Sequence, residues 1–311
     1  MGQPKVFVVT INWNGLADTL QCLESLVHLD YPNVETIVVD NASANDQAET
    51  IAERFPEAII LSQEENLGFC GGCNVGIQHA LAHGAEYVLL LNNDAIVTPS
   101  FLTKLVGLFD IFADAGAASP LVCEYPDTSK IWYARPRWIS REAYFVLKEP
   151  DDAVEFLEKK DAYAVEFTTG CCMLVPARVF ESEGLLDERY FAYYDEVEWC
   201  FRIRRSGFAC YVAPNAVVYH KERRSTPGPV HDYLVARNRL LWMKEYLPFG
   251  ERLRSAKYLA KEWLWHQLNA RGLTAERIPR GSSRALVRGY RDYFRGRFFR
   301  WEPDTEKQAP R

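Results

Sequence analysis

Short apolar strands alternate with helical patterns over the first hundred residues, and three of the four strands run straight into a carboxamide or carboxylate. Residues 6–11 are followed by Asn12, residues 36–39 by Asp40, and residues 87–91 by Asn92-Asn93-Asp94. Residues 59–61 supply the remaining strand. Between them, Leu16, Leu20, Leu23 and Val27 share one helical face, and residues 48–55 suit a short helix. Cys73, Ile77 and Leu81 mark another helix, with Gly84 placed as its stop. Thr98-Pro99 has the chemistry of a cap and first turn opening a helix to about residue 112. Strands and helices alternating at this spacing predict an α/β fold, a mainly parallel sheet flanked by helices. Such sheets bind ligands beyond the carboxyl ends of their strands, which is where Asn12, Asp40 and Asp94 fall.

The pattern breaks down over residues 121–167, where Pro120, Pro126 and Pro136 stand among Trp132, Tyr133 and Trp138. Irregular structure able to close over a substrate is expected there. Order resumes with strands at 171–175, 211–213 and 217–220 and helices at 198–205 and 230–246, the last stopped by Pro248. Charge then divides the chain. Residues 251–311 hold 15 Lys and Arg against 7 Asp and Glu, whereas the whole chain carries a net charge of −6. An acidic body (1–250) and a basic extension (251–311) are therefore expected as two units. The extension interleaves Tyr290, Tyr293, Phe294, Phe298, Phe299 and Trp301 with its cations. That mixture suits peripheral contact with an anionic membrane rather than nucleic acid. A helical cap on the body, or a surface joining copies of the chain, would use the same residues. No apolar run approaches the roughly 20 residues that span a bilayer. The eight scattered cysteines suit reduced thiols, so the expected location is the cytoplasm, with peripheral attachment to the inner face of the membrane.

Several polar residues carry chemistry, each beside a plainer use. Asp40 could accept the N3–H of a uracil or thymine base, or could simply close an Asx turn in Asp-Asn-Ala-Ser. The glycine-rich run 66–74 could bring backbone N–H groups to a phosphate or base, though it has neither dinucleotide nor Walker spacing. Cys70 and Cys73 form a lone C-x-x-C pair, better explained by the turn than by metal or redox chemistry. Asp94 offers a carboxylate to Mg²⁺ or Mn²⁺ on a diphosphate, or is another turn residue. Asp195-Glu196, set among aromatics, suits a base with a raised pKa, or the acidic first turn of a helix. Glu198 and Arg202 have the spacing of a surface ion pair. Tyr233 and Arg237 share a helical face that could address a diphosphate or merely face solvent.

Taken in order, the motifs are more informative than any one of them. The succession Thr10-Ile11-Asn12-Trp13-Asn14, Val39-Asp40-Asn41-Ala42-Ser43, Asn66-Leu67-Gly68-Phe69 with Asn74-Val75-Gly76, Leu91-Asn92-Asn93-Asp94, Thr169-Gly170-Cys171, Asp195-Glu196-Val197-Glu198 with Arg202, and His220 resembles the family 2 glycosyltransferases of GT-A fold. Within them it is most similar to the bacterial rhamnosyltransferase-like branch, over about residues 5–245. The resemblance implies an inverting transferase of cell-surface polysaccharide synthesis, using a nucleotide-sugar donor and a divalent metal, Mg²⁺ or Mn²⁺. The acceptor would be a saccharide or a lipid-linked sugar. On that likeness dTDP-L-rhamnose is the expected donor, with UDP-hexoses or UDP-N-acetylhexosamines as alternatives. Asn12, Asn14, Asp40, Asn66, Gly68, Asn74, Asn93 and Arg237 would line the nucleotide-sugar site. Asp94 and His220 would hold the metal. Glu196 would be the base, with Asp195 positioning the acceptor. Two departures from the pattern stand out: Asn92 replaces the first acid of the D-x-D-type motif, and the acid pair is Asp-Glu rather than Glu-Asp. A dehydrogenase would need G-x-G-x-x-G after the first strand, and none is present. A catalytically inactive binding protein would have shed the acids, yet Asp94 and Glu196 remain.

Overall fold

The computed structural model describes residues 2–149, 153–154, 161–221, 228–274 and 278–298. Its first half is built from β1 (Val6–Asn12), α1 (Leu16–Val27), β2 (Val34–Asp40), α2 (Gln47–Arg54), β3 (Ile59–Ser62), α3 (Gly68–Ala82) and β4 (Tyr87–Leu91). Then come β5 (Ala95–Val97), α4 (Phe101–Ile111), β6 (Ala115–Glu124), β7 (Ile131–Tyr133), β8 (Arg137–Ile139), β9 (Tyr144–Val146) and β10 (Tyr163–Val165). The second half continues with β11 (Cys172–Pro176), α5 (Ala177–Glu183), α6 (Asp195–Arg205), β12 (Ala209–His220), α7 (Gly228–Tyr246), α8 (Phe249–Ala270) and α9 (Arg280–Phe294).

Strands β3, β2, β1 and β4 lie side by side and parallel, as the βα alternation requires. Val6, Phe7, Val8 and Val9 are buried because helices cover both faces of such a sheet. Beyond β4 the sheet becomes mixed. β11 enters antiparallel to both β4 and β6, and β12 then runs parallel to β6. The two short strands expected at 211–213 and 217–220 are one strand, β12, with a register shift between Ala213 and Val217. Because β11 is reversed, its N-terminal end meets the carboxyl ends of β1, β2, β4, β6 and β12 along one edge.

Some local expectations are revised. Val27 is 66% exposed, and α1 instead buries Thr19, Cys22, Leu23 and Leu26. Helix α4 starts after Ser100, because the Thr98 hydroxyl donates to the Val217 carbonyl at 2.8 Å and so joins β12 rather than capping a helix. The described part of residues 121–167 is less irregular than expected: β6 runs on to Glu124, and β8 and β9 form a hairpin, while residues 150–152 and 155–160 lie outside the described residues. That hairpin is pinned to α7, where the fully buried Trp242 ring lies 5.0 Å from Trp138 and 4.9 Å from Phe145. Glu198 and Arg202 are no surface pair. Glu198 is buried and takes Arg202 and the Tyr246 hydroxyl, while Arg202 also donates to the carbonyls of Glu183 and Leu185. All eight cysteines are buried thiols.

The basic extension begins as helices packed on the body. A Cβ at Gly289 of α9 would stand 2.4 Å from the Tyr233 carbonyl oxygen of α7, so the two helices are in backbone contact there. A buried carbonyl cannot swing aside as a side-chain tip can. Gly289→Val is therefore expected to cost about 1–3 kcal/mol through overpacking, seen as a lower thermal midpoint, whereas a midpoint equal to wild type would mean that α9 does not hold this contact in solution. Phe299 and Trp301 lie outside the described residues.

Candidate active site

The end of β1 is wired to the end of β2. Asn12 is fully buried, and its Nδ2 donates to Asp40 Oδ1 at 2.8 Å, Ser43 Oγ at 3.0 Å and Gln47 Oε1 at 3.1 Å. Its Oδ1 accepts from the Thr19 hydroxyl at 2.8 Å. Asp40 Oδ2 accepts the Ser43 N–H at 3.1 Å, which is the Asx turn weighed above. A carboxylate has about four lone-pair sites, so the turn leaves Asp40 capacity to accept a further N–H. Asn14, at φ 54°, links the same two loops through Ser43 Oγ and the Ala44 N–H. These carboxamides therefore hold the loops in place, and Asp40 is the group they orient.

The glycine-rich run forms the start of α3. Gly68 sits at φ +73°, and a Cβ there would lie 2.4 Å from the Phe191 carbonyl oxygen, so a side chain is excluded twice over. Asn66 Oδ1 accepts the Gly68 N–H at 2.8 Å. Asn41, which the sequence reading passed over, ties β2 to this turn by accepting the Leu67 N–H and donating to Asn66 and the Gly68 carbonyl. Asn74 is turned toward the chain's own backbone. It is buried and pairs with both backbone groups of Leu186 at 3.0 Å and with Glu188, so it braces α3 against that loop.

Strand β5 pairs antiparallel with β12, setting Ala95 opposite His220. That register brings Asp94 beside the histidine: Nε2 of His220 is 3.1 Å from Asp94 Oδ1, and both residues are buried. The other ring nitrogen, Nδ1, is buried without a hydrogen-bond partner, and Trp132 packs edge-on at 4.4 Å. Two ligands at right angles around Mg²⁺ or Mn²⁺, each bonded at about 2.1 Å, stand about 3 Å apart. A carboxylate oxygen and an imidazole nitrogen at this spacing thus fit a metal. No cluster of three or more His, Cys, Asp or Glu is found among the described residues. Asn92 adds no acid, and its N–H is held by the Cys171 carbonyl at 2.8 Å. Asn93 donates to the Thr19 hydroxyl at 2.9 Å and packs against Gly15.

The acid pair opens α6 next to this edge. Asp195 is 2% exposed, and its Oδ2 is buried without a partner. Glu196 keeps some solvent contact, and its side chain lies against Gly170, one residue from the Cys171 carbonyl that holds Asn92. Burial pushes the Asp195 carboxyl up to about 7. Burial, and then the Asp195 charge beside it, raise Glu196 well above the usual carboxylate range. Both shifts are upward, the direction that strengthens a carboxylate as a base.

The backbone leading into this pair is strained and clamped. Phe191, Tyr193 and Tyr194 all have φ between 66° and 68°, a region costly for aromatic residues. Asn238 of α7 donates from its one amide nitrogen to the carbonyls of Tyr190, Ala192 and Tyr193, each at 2.8 Å. Arg237 donates to the carbonyls of Arg189 and Tyr190 at 3.0 and 2.9 Å. Both side chains are fully buried. Arg237 therefore forms one half of a clamp on the backbone that leads into the acid pair. Spacing along α7 cannot reveal this, because the partners are backbone oxygens some 45 residues away.

Residues 7–183, more than half of the chain, match the family model described as glycosyl transferase family 2. A dTDP-rhamnosyl transferase RfbF of Shigella flexneri is 24% identical over 215 residues, covering 69% of this chain and 68% of the relative. An N-acetylglucosaminyl-diphospho-decaprenol L-rhamnosyltransferase of Mycobacterium tuberculosis is 27% identical over 224 residues, covering 66% and 72%. Among solved structures, GalNAc-T7 with UDP, GalNAc and Mn²⁺ superposes with a TM-score of 0.64 at 16% identity, covering 94% of this chain but only 54% of its own. The mannosyltransferase PcManGT from Pyrobaculum calidifontis, in complex with GDP-Man and Mn²⁺, gives 0.58 at 17% identity, covering 94% and 87%. The likeness to these structures is one of fold, and the family match runs from β1 through β11: the chain belongs to glycosyl transferase family 2 and is a glycosyltransferase.

Proposed function

We propose that the protein is an inverting, metal-dependent transferase that moves L-rhamnose from dTDP-L-rhamnose to a saccharide or lipid-linked acceptor in cell-surface polysaccharide synthesis. One observation carries the reading: the Asp94–His220 pair and the Asp195-Glu196 pair sit on adjoining segments of one sheet edge, joined through Asn92 and Cys171. A diphosphate needs cationic neutralisation where it departs, and an acceptor hydroxyl needs a base where it attacks. The edge supplies a place for each. Similarity to two rhamnosyl transferases favours the sugar.

In this reading Asp40 accepts the base N3–H, oriented by Asn12 and Ser43. Glu196 takes the acceptor hydroxyl proton as that oxygen displaces the nucleoside diphosphate from the anomeric carbon. Asp195 positions the acceptor. Asp94 and His220 would hold the divalent ion, which when bound supplies positive charge to the leaving diphosphate. Residues 1–250 form the catalytic unit and 251–311 its extension, working at the inner face of the cell membrane where a lipid-linked acceptor would be presented.

With Asp94 and His220 as the two ligands among the described residues and Asn92 in place of an acid, Mg²⁺ or Mn²⁺ is expected to bind weakly alone and at least tenfold more tightly with dTDP present, a gain set by the diphosphate oxygens. Titration calorimetry with and without dTDP measures this, and full transfer in excess EDTA would overturn the metal. The donor is tested by protection against thermal unfolding across a panel of nucleotide sugars. Asp40 pairs equally with uracil and thymine, so the sugar has to discriminate. Protection by a UDP-hexose or UDP-N-acetylhexosamine, with none by dTDP-L-rhamnose, would replace the donor.

A further inference from the structure

Helix α8 wears its polar side inward. Ser255 donates to the Ser140 carbonyl at 2.8 Å, His266 meets the Ser283 hydroxyl at 2.9 Å, and Asn269 donates to the Ile278 carbonyl at 2.9 Å. Its two acids are used up on the same side: Glu251 accepts from the Ser140 hydroxyl, and Glu262 binds Arg239 and Tyr290. The outward face is apolar. Phe249, Leu253, Ala260 and Leu264 follow one another at intervals of four, seven and four, the period of a single helical stripe. Phe249 is 74% exposed, Leu253 59% and Leu264 53%. Beside the stripe run Arg254, Lys257 and Lys261, also exposed, with no acid among them.

This inversion is confined to one region. Of the twelve exposed large hydrophobic residues among those described, eight lie at or beyond Phe249. A helix that merely capped the body would turn this stripe toward the body. At the start of α8, Arg141, Arg254 and Lys257 also line an open hollow of about 740 Å³ with Ser140, Gly250 and Leu253. An apolar stripe flanked by cations and free of acids is complementary to an anionic bilayer, with the stripe entering the acyl boundary and the cations staying at the phosphates.

We propose that the outward face of α8 is the membrane-docking surface of this enzyme, and that its occupant is an anionic phospholipid bilayer. The inference deepens the lipid-linked acceptor reading and rests on it for the choice of a bilayer over another partner. Docking through α8 would hold the catalytic edge near the membrane at a fixed orientation, because α8 and α9 are tied to α7 through Glu262, Arg239 and Tyr290.

Flotation of the full chain with vesicles tests this without donor or acceptor. The protein is expected to float with vesicles of phosphatidylglycerol and phosphatidylcholine, and to stay behind with phosphatidylcholine alone. Lys257→Glu with Lys261→Glu should weaken binding roughly thirtyfold or more, from the loss of two cations at the surface. Leu253→Glu with Leu264→Glu should abolish it. All four side chains are exposed, so thermal unfolding and protection by nucleotide should match wild type in both variants. Failure of the folded protein to float with anionic vesicles, or flotation unchanged in both variants, would overturn the proposal. So would light scattering that shows a dimer split by Leu253→Glu with Leu264→Glu, with no vesicle binding. Transfer to a short-chain, water-soluble acceptor separates the two readings. If it persists without flotation, only the docking surface fails. If flotation is as expected but no lipid-linked acceptor is used, the surface stands and the acceptor reading fails.

Discussion

Replacing Glu196 with Gln is expected to lower kcat by about 10²–10⁴-fold while donor binding stays at its wild-type value. The change keeps the size of the side chain and removes only the proton acceptor. Asp195→Asn should act mainly on acceptor KM, because successive helical side chains diverge by about 100° and only one of the pair can face the attacking hydroxyl. The opposite result, with Glu196→Gln active and Asp195→Asn dead, would shift the base by one residue. The pH profile adds a second check. Burial and Asp195 raise the Glu196 pKa, so kcat should fall as pH drops through that raised value. Stability moves the other way. The folded state binds this proton more tightly than the unfolded chain, so the group costs stability as pH rises from its ordinary value through the raised one. Glu196→Gln lacks that cost. It is expected to melt higher than wild type at pH 8, with the gap closing toward pH 4.

Asn238→Ala is expected to remove about 1–3 kcal/mol of stability, since the two hydrogens of its amide are shared among one buried and two part-buried carbonyls, and the Tyr190 carbonyl keeps Arg237 and the Ala192 N–H. Chemical denaturation measures that loss. A purely structural residue would do no more. Asn238, however, holds Tyr193 and the carbonyls on either side of Phe191 in the left-handed stretch that leads into α6, so a second effect is expected. Water admitted to the relaxed loop would lower the Glu196 pKa, and the acid limb of the kcat profile should move to lower pH. Donor KM should change little, because the clamp touches none of Asn12, Asp40 or Asp94. An acid limb identical to wild type in the surviving folded enzyme would confine Asn238 to stability.

The parallel half of the fold was legible because each of its strands is bounded within a few residues by its own turn and helix. The polar strand ends Asn12, Asp40 and Asp94 stood out for the same reason: buried strands leave few places for such groups. What stayed hidden depends on partners distant in sequence. Nothing near residue 172 says that β11 runs antiparallel between β4 and β6. Arg237 and Asn74 have the residue types of ligand contacts, and only the fold shows them holding backbone of the segment 186–193. Thr98 and Val27 failed on a smaller scale. The pull of the Val217 carbonyl and the choice of Thr19, Cys22, Leu23 and Leu26 as the buried face of α1 lie beyond any local pattern.

The late insertion of β11 also sets the order in which the chain can be completed. β4 ends at residue 91, but the strand that closes its far side begins at residue 172, about 80 residues later. At roughly 5–20 residues per second, the ribosome leaves that apolar edge uncovered for roughly 4–16 s. For that interval the nascent protein carries a row of unpaired backbone groups on Val88–Leu91, a template for pairing with a neighbouring chain. Pairing of that edge with a neighbouring chain is therefore expected to compete with folding until β11 has been made.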